Sequence, residues 1–191
     1  MNEHNTLFSK LADIAPQVVK AGELILQTIK SSHKILVCGN GGSAADAQHF
    51  AAEFIGRFET ERKALPAIAL TVDTSILTAL GNDYGYDTIF SRQIEGIGLP
   101  GDTMIGISTS GNSKNVLLAV EAAKRRGVKS IGLLGRDGGK LAPIVDIPII
   151  IPHPVTARIQ EAHIFIIHFW ASFVEREISP AARLQGAADV M

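Results

Sequence analysis

The sequence predicts an α/β fold: a doubly wound, five-stranded parallel sheet with extra helices at the N-terminal end and a long helix at the C-terminal end. Two observations predict it. Short runs of branched apolar residues, with no polar face, mark strands buried on both sides. These runs alternate with segments of helical periodicity, the pattern of a sheet covered by helices on both faces.

The elements follow in order. Leu7, Leu11, Ile14, Val18, Ala21, Ile25 and Ile29 recur at steps of three and four, so residues 4–30 read as one or two amphipathic helices ahead of any strand. Residues 34–38 form the first strand, followed by the loop Gly39-Asn40-Gly41-Gly42-Ser43 and a small-residue helix over about 44–56. Residues 67–70 and 103–107 are the second and third strands. Between them, 75–80 and 86–97 read as helices separated by Gly81-Asn82-Asp83-Tyr84-Gly85. A helix over 115–123, strands at 130–134 and 147–151, and a final helix over about 156–178 complete the chain. The stretch 162–174 is apolar nearly all round, more than a surface helix requires. It is expected to lie between the sheet layer and another subunit. The sheet core then spans about 34–151 of a single domain covering residues 1–191.

A chain of 191 residues is long enough for one sizeable core. The formal net charge of −1 gives no global attraction to nucleic acid, and Lys124-Arg125-Arg126 is short enough to be a solvated helix end. No apolar run has the length of a membrane span, and the first residues lack the core of a signal peptide. The expected location is the cytoplasm, with no membrane and no nucleic acid among the partners. The single cysteine, Cys38, cannot close an internal disulfide and reads as a small buried hydrophobe.

Two loops carry chemistry. Ser108-Thr109-Ser110-Gly111-Asn112-Ser113-Lys114 leads from the third strand into a helix. An ordinary N-cap needs one hydroxyl, whereas Ser108, Thr109, Ser110 and Ser113 supply four beside the positive end of the helix. That is a cradle for a phosphate dianion. The other loop, Gly39 to Ala44, nearly satisfies the G-x-G-x-x-G/A pattern and keeps a nicotinamide-dependent oxidoreductase in view. Its ribose partner would be Asp73, which lies later than the usual spacing. Two such loops at the carboxyl ends of strands suit a small phosphorylated ligand in the crevice between them.

Two helices carry further candidates. His49 and Glu53 are four apart and share a helix face. Gln160 and His168 are two turns apart on the final helix, and His168 stands in the apolar run Ile164-Phe165-Ile166-Ile167-His168-Phe169-Trp170. An imidazole there must find a partner or do a job.

Five segments, in order, resemble the bacterial phosphoheptose isomerases, a branch of the sugar isomerase (SIS) domain proteins. They are Cys38-Gly39-Asn40-Gly41-Gly42-Ser43, the run from Asp46 through His49 to Glu53, Gly81-Asn82-Asp83, the run from Ile107 to Ser113, and the run from Arg158 through Gln160 to His168. The resemblance spans essentially the whole chain. It implies a homotetramer that interconverts sedoheptulose 7-phosphate and glycero-manno-heptose 7-phosphate, a step toward the heptose of surface polysaccharides such as the lipopolysaccharide core. It also implies one Zn2+ per subunit held by His49, Glu53, Gln160 and His168. Substrate would be bound by Asn40, Gly41, Gly42, Ser43, Glu53, Asn82, Asp83, Ser108, Thr109, Ser110, Ser113 and Gln160.

The chemistry agrees. Ketose–aldose isomerisation moves a proton between adjacent carbons through an enediol, which needs a base at carbon and a donor at oxygen. Glu53 is expected to abstract the proton and His168 to serve as acid. Two other readings stay open. Residues 57–62 and 65–70 also resemble a non-catalytic SIS-domain module that binds a replication initiator protein, a relative lacking the acid/base pair. An isomerase of a shorter sugar phosphate would show the same phosphate cradle.

Overall fold

The structure is a computed structural model that describes residues 1–179, so the last part of the expected 1–191 span, residues 180–191, lies outside the described residues. Helix α1 (Asn2–Lys10) passes through a 3-10 turn, Leu11–Ile14, into α2 (Ala15–Lys30). Pro16 sits in the first turn of α2, where its missing N–H has no intrahelical partner to lose. Then follow β1 (Ile35–Cys38), α3 (Gly42–Ile55), β2 (Ala67–Ala69), α4 (Thr74–Tyr84), a 3-10 turn at Tyr86–Thr88, α5 (Ser91–Ile97) and β3 (Thr103–Ser108). The chain continues with α6 (Lys114–Arg125), β4 (Lys129–Gly135), β5 (Ile147–Ile151) and α7 (Thr156–Ile178).

The sheet order is β2-β1-β3-β4-β5, with every pairing parallel. Strand alternation divides the apolar side chains between two cores. Ile35, Val37, Ile105, Ile107, Ile131 and Leu133 face α2, α3 and α7, while Leu36, Cys38, Met104 and Leu134 face α5 and α6. The expected doubly wound sheet is therefore present. Trp170, fully buried, ties α7 to α2 by donating its indole N–H to the Val18 carbonyl at 2.9 Å.

Because β2 lies on one side of β1 and β3 to β5 on the other, the winding reverses between β1 and β3. A crevice therefore opens at their carboxyl ends, beside Cys38 and Ser108.

Three local expectations change. Gly81 to Tyr84 do not separate two helices: α4 runs through them to Tyr84, and only Gly85, at φ 87°, breaks the chain. A single internal glycine costs a helix about 1 kcal/mol relative to alanine, which the rest of α4 absorbs. Residues 86–97 divide into the 3-10 turn and α5, with Ser91 Oγ donating to the Thr88 carbonyl at the join. Helix α3 starts at Gly42, ahead of the expected residue 44. As for α7, Ile159, Ala162, Ile166, Ile167, Trp170, Ala171 and Val174 are buried, but Phe165 is 49% exposed beside a groove it forms with Phe8, Leu11 and Val19.

Candidate active site

The hydroxyl loop closes on itself as it leaves β3. Ser108 is buried, and its Oγ lies 2.9 Å from Ser113 Oγ and 3.5 Å from Ser110 Oγ. Ser113 occupies the N-cap position of α6 yet makes no side-chain capping bond, so its hydroxyl serves the loop rather than the helix. Gly111, at φ 65°, packs so tightly on the Gly138 backbone that a Cβ would collide with it, and its carbonyl accepts from Leu141 N–H. Thr109 is partly exposed at the turn. These hydroxyls meet the amino end of α6, which fits them to an anion.

The β1 loop is braced from across the crevice. Asn40 and Asn115 exchange reciprocal amide bonds of 2.9 and 2.8 Å, and Tyr86 donates its phenol O–H to Asn40 Oδ1 at 3.0 Å. Neither Asn115 nor Tyr86 was among the candidates from sequence. The available signal was Asn115 itself, an amide that opens an otherwise apolar helix face directly after the hydroxyl loop. Gly41, at φ 57°, makes the turn, and Ser43 is buried behind it. Asn82 and Asp83 bond each other at 2.7 Å on the exposed end of α4, just ahead of Tyr86.

The α3–α7 seam carries the titratable groups. Gly42, Asp46, His49 and Glu53 form one stripe on α3 at steps of four, three and four. The stripe meets α7 twice. At Gly42 the Gln160 amide packs so closely that a Cβ would be driven into it. At His49, Nε2 lies 2.9 Å from His168 Nε2 and 3.1 Å from Glu53 Oε1. The two helices therefore run side by side in the same direction. Among the described residues His49, Glu53 and His168 each offer a ligand atom within 4.8 Å of the others. Two imidazole nitrogens and a carboxylate oxygen are the donor set of a catalytic zinc site that keeps a position open. Gln160, eight residues before His168 and so about 12 Å along the helix, sits instead at Gly42. The structure thus brings three of the four expected ligands together within the chain.

The end of the stripe is clasped from below. Glu175, 2% exposed, accepts backbone N–H bonds from Phe58, Glu59 and Thr60 and pairs with Arg62 Nε at 3.1 Å. Burial alone would raise its carboxyl, but these amide donors outweigh burial and hold it below the usual range. Arg62 also donates to the carbonyls of Glu53 and Phe54, fixing the last turn of α3. The segment that suggested a partner-binding module is thus engaged in supporting Glu53. Asp73 accepts from Ile76 N–H as the N-cap of α4. Cys38 is wholly buried, which pushes its thiol up to about 12 and makes it inert.

A parallel α/β sheet with glycine-rich and hydroxyl-rich loops at its switch point and a His–Glu–His seam beside them places the chain with the sugar isomerase domains. Family models described as the SIS domain match residues 1–135 and 99–172. Among curated relatives, the phosphoheptose isomerase of Citrifermentans bemidjiense is 56% identical over 166 residues, 87% of this chain and 86% of that protein. That of Trichlorobacter lovleyi is 52% identical over 177 residues, 92% and 90% of the two. The solved phosphoheptose isomerase GmhA of Neisseria gonorrhoeae superposes with a TM-score of 0.87 at 49% identity, covering 91% of this chain and 94% of that one. The chain belongs to the phosphoheptose isomerases of the SIS domain family.

Proposed function

We propose that the chain interconverts sedoheptulose 7-phosphate and D-glycero-D-manno-heptose 7-phosphate by proton transfer through an enediol. The observation that carries this reading is the meeting of Glu53, His49 and His168 on one seam, in a chain more than half identical to phosphoheptose isomerases. The phosphate sits against Ser108, Thr109, Ser110 and Ser113, where hydroxyls and the amino end of α6 neutralise it. Asn40, Gly41, Gly42, Ser43 and Gln160 line the path from there to the seam, with Asn82 and Asp83 at the neighbouring end of α4. Glu53 removes the proton from carbon, and His168 donates to the adjacent oxygen.

A zinc ion held by His49, Glu53 and His168 would polarise the carbonyl and stabilise the oxyanion. The chain acts as a homotetramer, supported by the apolar groove that Phe8, Leu11, Val19 and Phe165 leave open. It acts in the cytoplasm, in supply of heptose to surface polysaccharide. In keeping with that, no helix among the described residues is long and apolar enough to cross a membrane.

The test is direct. Purified protein with zinc, given sedoheptulose 7-phosphate in deuterated water, is expected to yield the aldose with deuterium at the carbon that receives the proton. Recovery of unchanged, unlabelled ketose defeats the reading. Capture of a replication initiator by the same inactive protein would favour the binding module.

A further inference from the structure

We propose that Arg136 is a further substrate-binding residue, whose guanidinium grips the phosphate of the sugar from the open side of the hydroxyl cradle. The proposal rests on the isomerase reading and adds to its site the full positive charge that the cradle lacks.

At Ser108, Thr109, Ser110 and Ser113 a phosphate dianion meets hydroxyls and a helix end, which are dipoles. Lys114, the cation next in the chain, is committed elsewhere, with Nζ 2.6 Å from Asp87 Oδ2. An unpaired cation stands instead just past the neighbouring strand, since Arg136 follows directly on β4. There an open cleft of about 770 Å³ is lined by Ser110 and Asn112 of the cradle loop and by Arg136, Asp137 and His153. Ser110 thus belongs both to the cradle and to the cleft.

The turn that carries Arg136 is seated on the hydroxyl loop. A Cβ on Gly135 would be driven into the Thr109 carbonyl and one on Gly139 into the Asn112 amide, while Lys140 N–H donates to Asn112 Oδ1 at 3.2 Å. Arg136 itself takes a φ of 59°, a left-handed conformation that suits glycine or asparagine better than a long side chain. Its side chain is exposed, and among the described residues nothing pairs with it. A residue that strains the backbone and pairs with no neighbour calls for a partner from outside the chain.

The rest of the lining suits an oxyanion. His153 Nδ1 accepts the Val155 N–H at 3.1 Å, so in the neutral ring the proton is on Nε2, a further donor. Asp137, the acid of the lining, accepts the Gly139 N–H at 3.0 Å and serves its own turn. A guanidinium can meet phosphate with two parallel N–H bonds, which an ammonium cannot.

The experiment compares the full-length protein with Arg136→Gly and Arg136→Lys. Calorimetry measures binding of inorganic phosphate at two ionic strengths, alongside KM and kcat for sedoheptulose 7-phosphate and Tm. Arg136→Gly is expected to weaken phosphate binding about tenfold, the worth of one hydrogen bond to a charged group, and to flatten its dependence on salt. KM should rise with kcat nearly unchanged, the mark of lost uniform binding. Arg136→Lys keeps the charge without the fork and should recover part of the loss. The Tm of Arg136→Gly should hold or rise, because glycine relieves the left-handed position. Unchanged phosphate affinity in Arg136→Gly, or no recovery in Arg136→Lys, overturns the proposal. So does a fall in Tm that accompanies the loss of binding, because Arg136 would then be a structural group. Arg136-dependent phosphate binding in a parent protein without turnover would defeat the isomerase reading and leave this one standing.

Discussion

Helix α7 takes part in two polar arrangements that treat burial in opposite ways. Toward its end, Glu175 is buried and fully satisfied, by backbone amides of residues 58–60 and by Arg62. Along its middle, His168 faces His49 and Glu53 in a half-open seam, with the unpartnered Asp46 oxygen one turn away. The clasp spends its polar groups on the chain itself. The seam leaves its donors and acceptors available to something else. Satisfaction, more than burial or charge, separates the structural carboxylate from the one proposed to do chemistry.

The largest effect that would sharpen this contrast is on turnover. Glu53→Gln keeps the size and most of the polarity of the side chain but removes the proposed base. It is expected to lower kcat by about 10²–10⁴-fold with little change in Tm, and His168→Gln should behave alike. Steady-state kinetics and thermal unfolding of the same samples check it. Near-normal turnover in both variants would break the distinction at the seam.

Glu175→Ala should do the reverse. It strands the Arg62 guanidinium, only 4% exposed, and three backbone N–H groups. Breaking a buried pair of this kind costs about 3–5 kcal/mol, read as loss of stability by denaturant unfolding. A variant as stable as the parent would mean that the clasp is ornamental. Any loss of activity should follow the loss of folded protein, because Glu175 reaches the site only by fixing residues 53–62.

The hydroxyl loop gives a third, smaller test. Since Ser113 does not cap α6, Ser113→Ala should leave stability nearly unchanged, where loss of a working cap would cost about 1 kcal/mol. Binding of inorganic phosphate should weaken by about tenfold, the worth of one hydrogen bond to a charged group. A fall in Tm with phosphate binding intact would return Ser113 to the role of an ordinary cap.

These contrasts also explain what was legible in the sequence. Strands such as Ile35–Cys38 stand out because a parallel strand buried on both faces has no polar alternation to blur it. The stripe of His49 and Glu53 is equally readable, since helical spacing fixes a shared face. The register of α3 against α7 is not a local property, so nothing in the spacing shows that His168 meets His49 while Gln160 meets Gly42. Asn115 and Glu175 escaped notice for the same reason. Their partners, Asn40 and residues 58–62, are distant in the chain and adjacent only after folding. The end of α4 reads as a turn in the sequence because Gly-Asn-Asp is ordinary turn composition, overridden in the fold by the helix it terminates.

His163 supplies the smallest test, one that separates a buried histidine of the core from the more open pair at the seam. Its ring is wholly buried, with Nε2 3.2 Å from the Leu134 carbonyl and Nδ1 unpartnered. Burial lowers its pKa to about 4, although the bond to Leu134 pulls the other way. The unfolded chain takes up this proton near 6.5, while the folded chain stays neutral down to about 4. Stability that is complete above pH 6.5 is therefore lost as the pH falls from 6.5 toward 4. Between pH 7 and 5.5 the loss from this one group is about 1 kcal/mol, or about 2–4 °C in Tm for a chain of this size. His163→Gln keeps a donor for the Leu134 carbonyl but has no proton to gain, so its Tm should fall less than the parent's by that amount over the same range. Parallel curves for the two proteins would mean that His163 is protonated inside the fold, and with it the rule that this core tolerates only satisfied or neutral polar groups would fail.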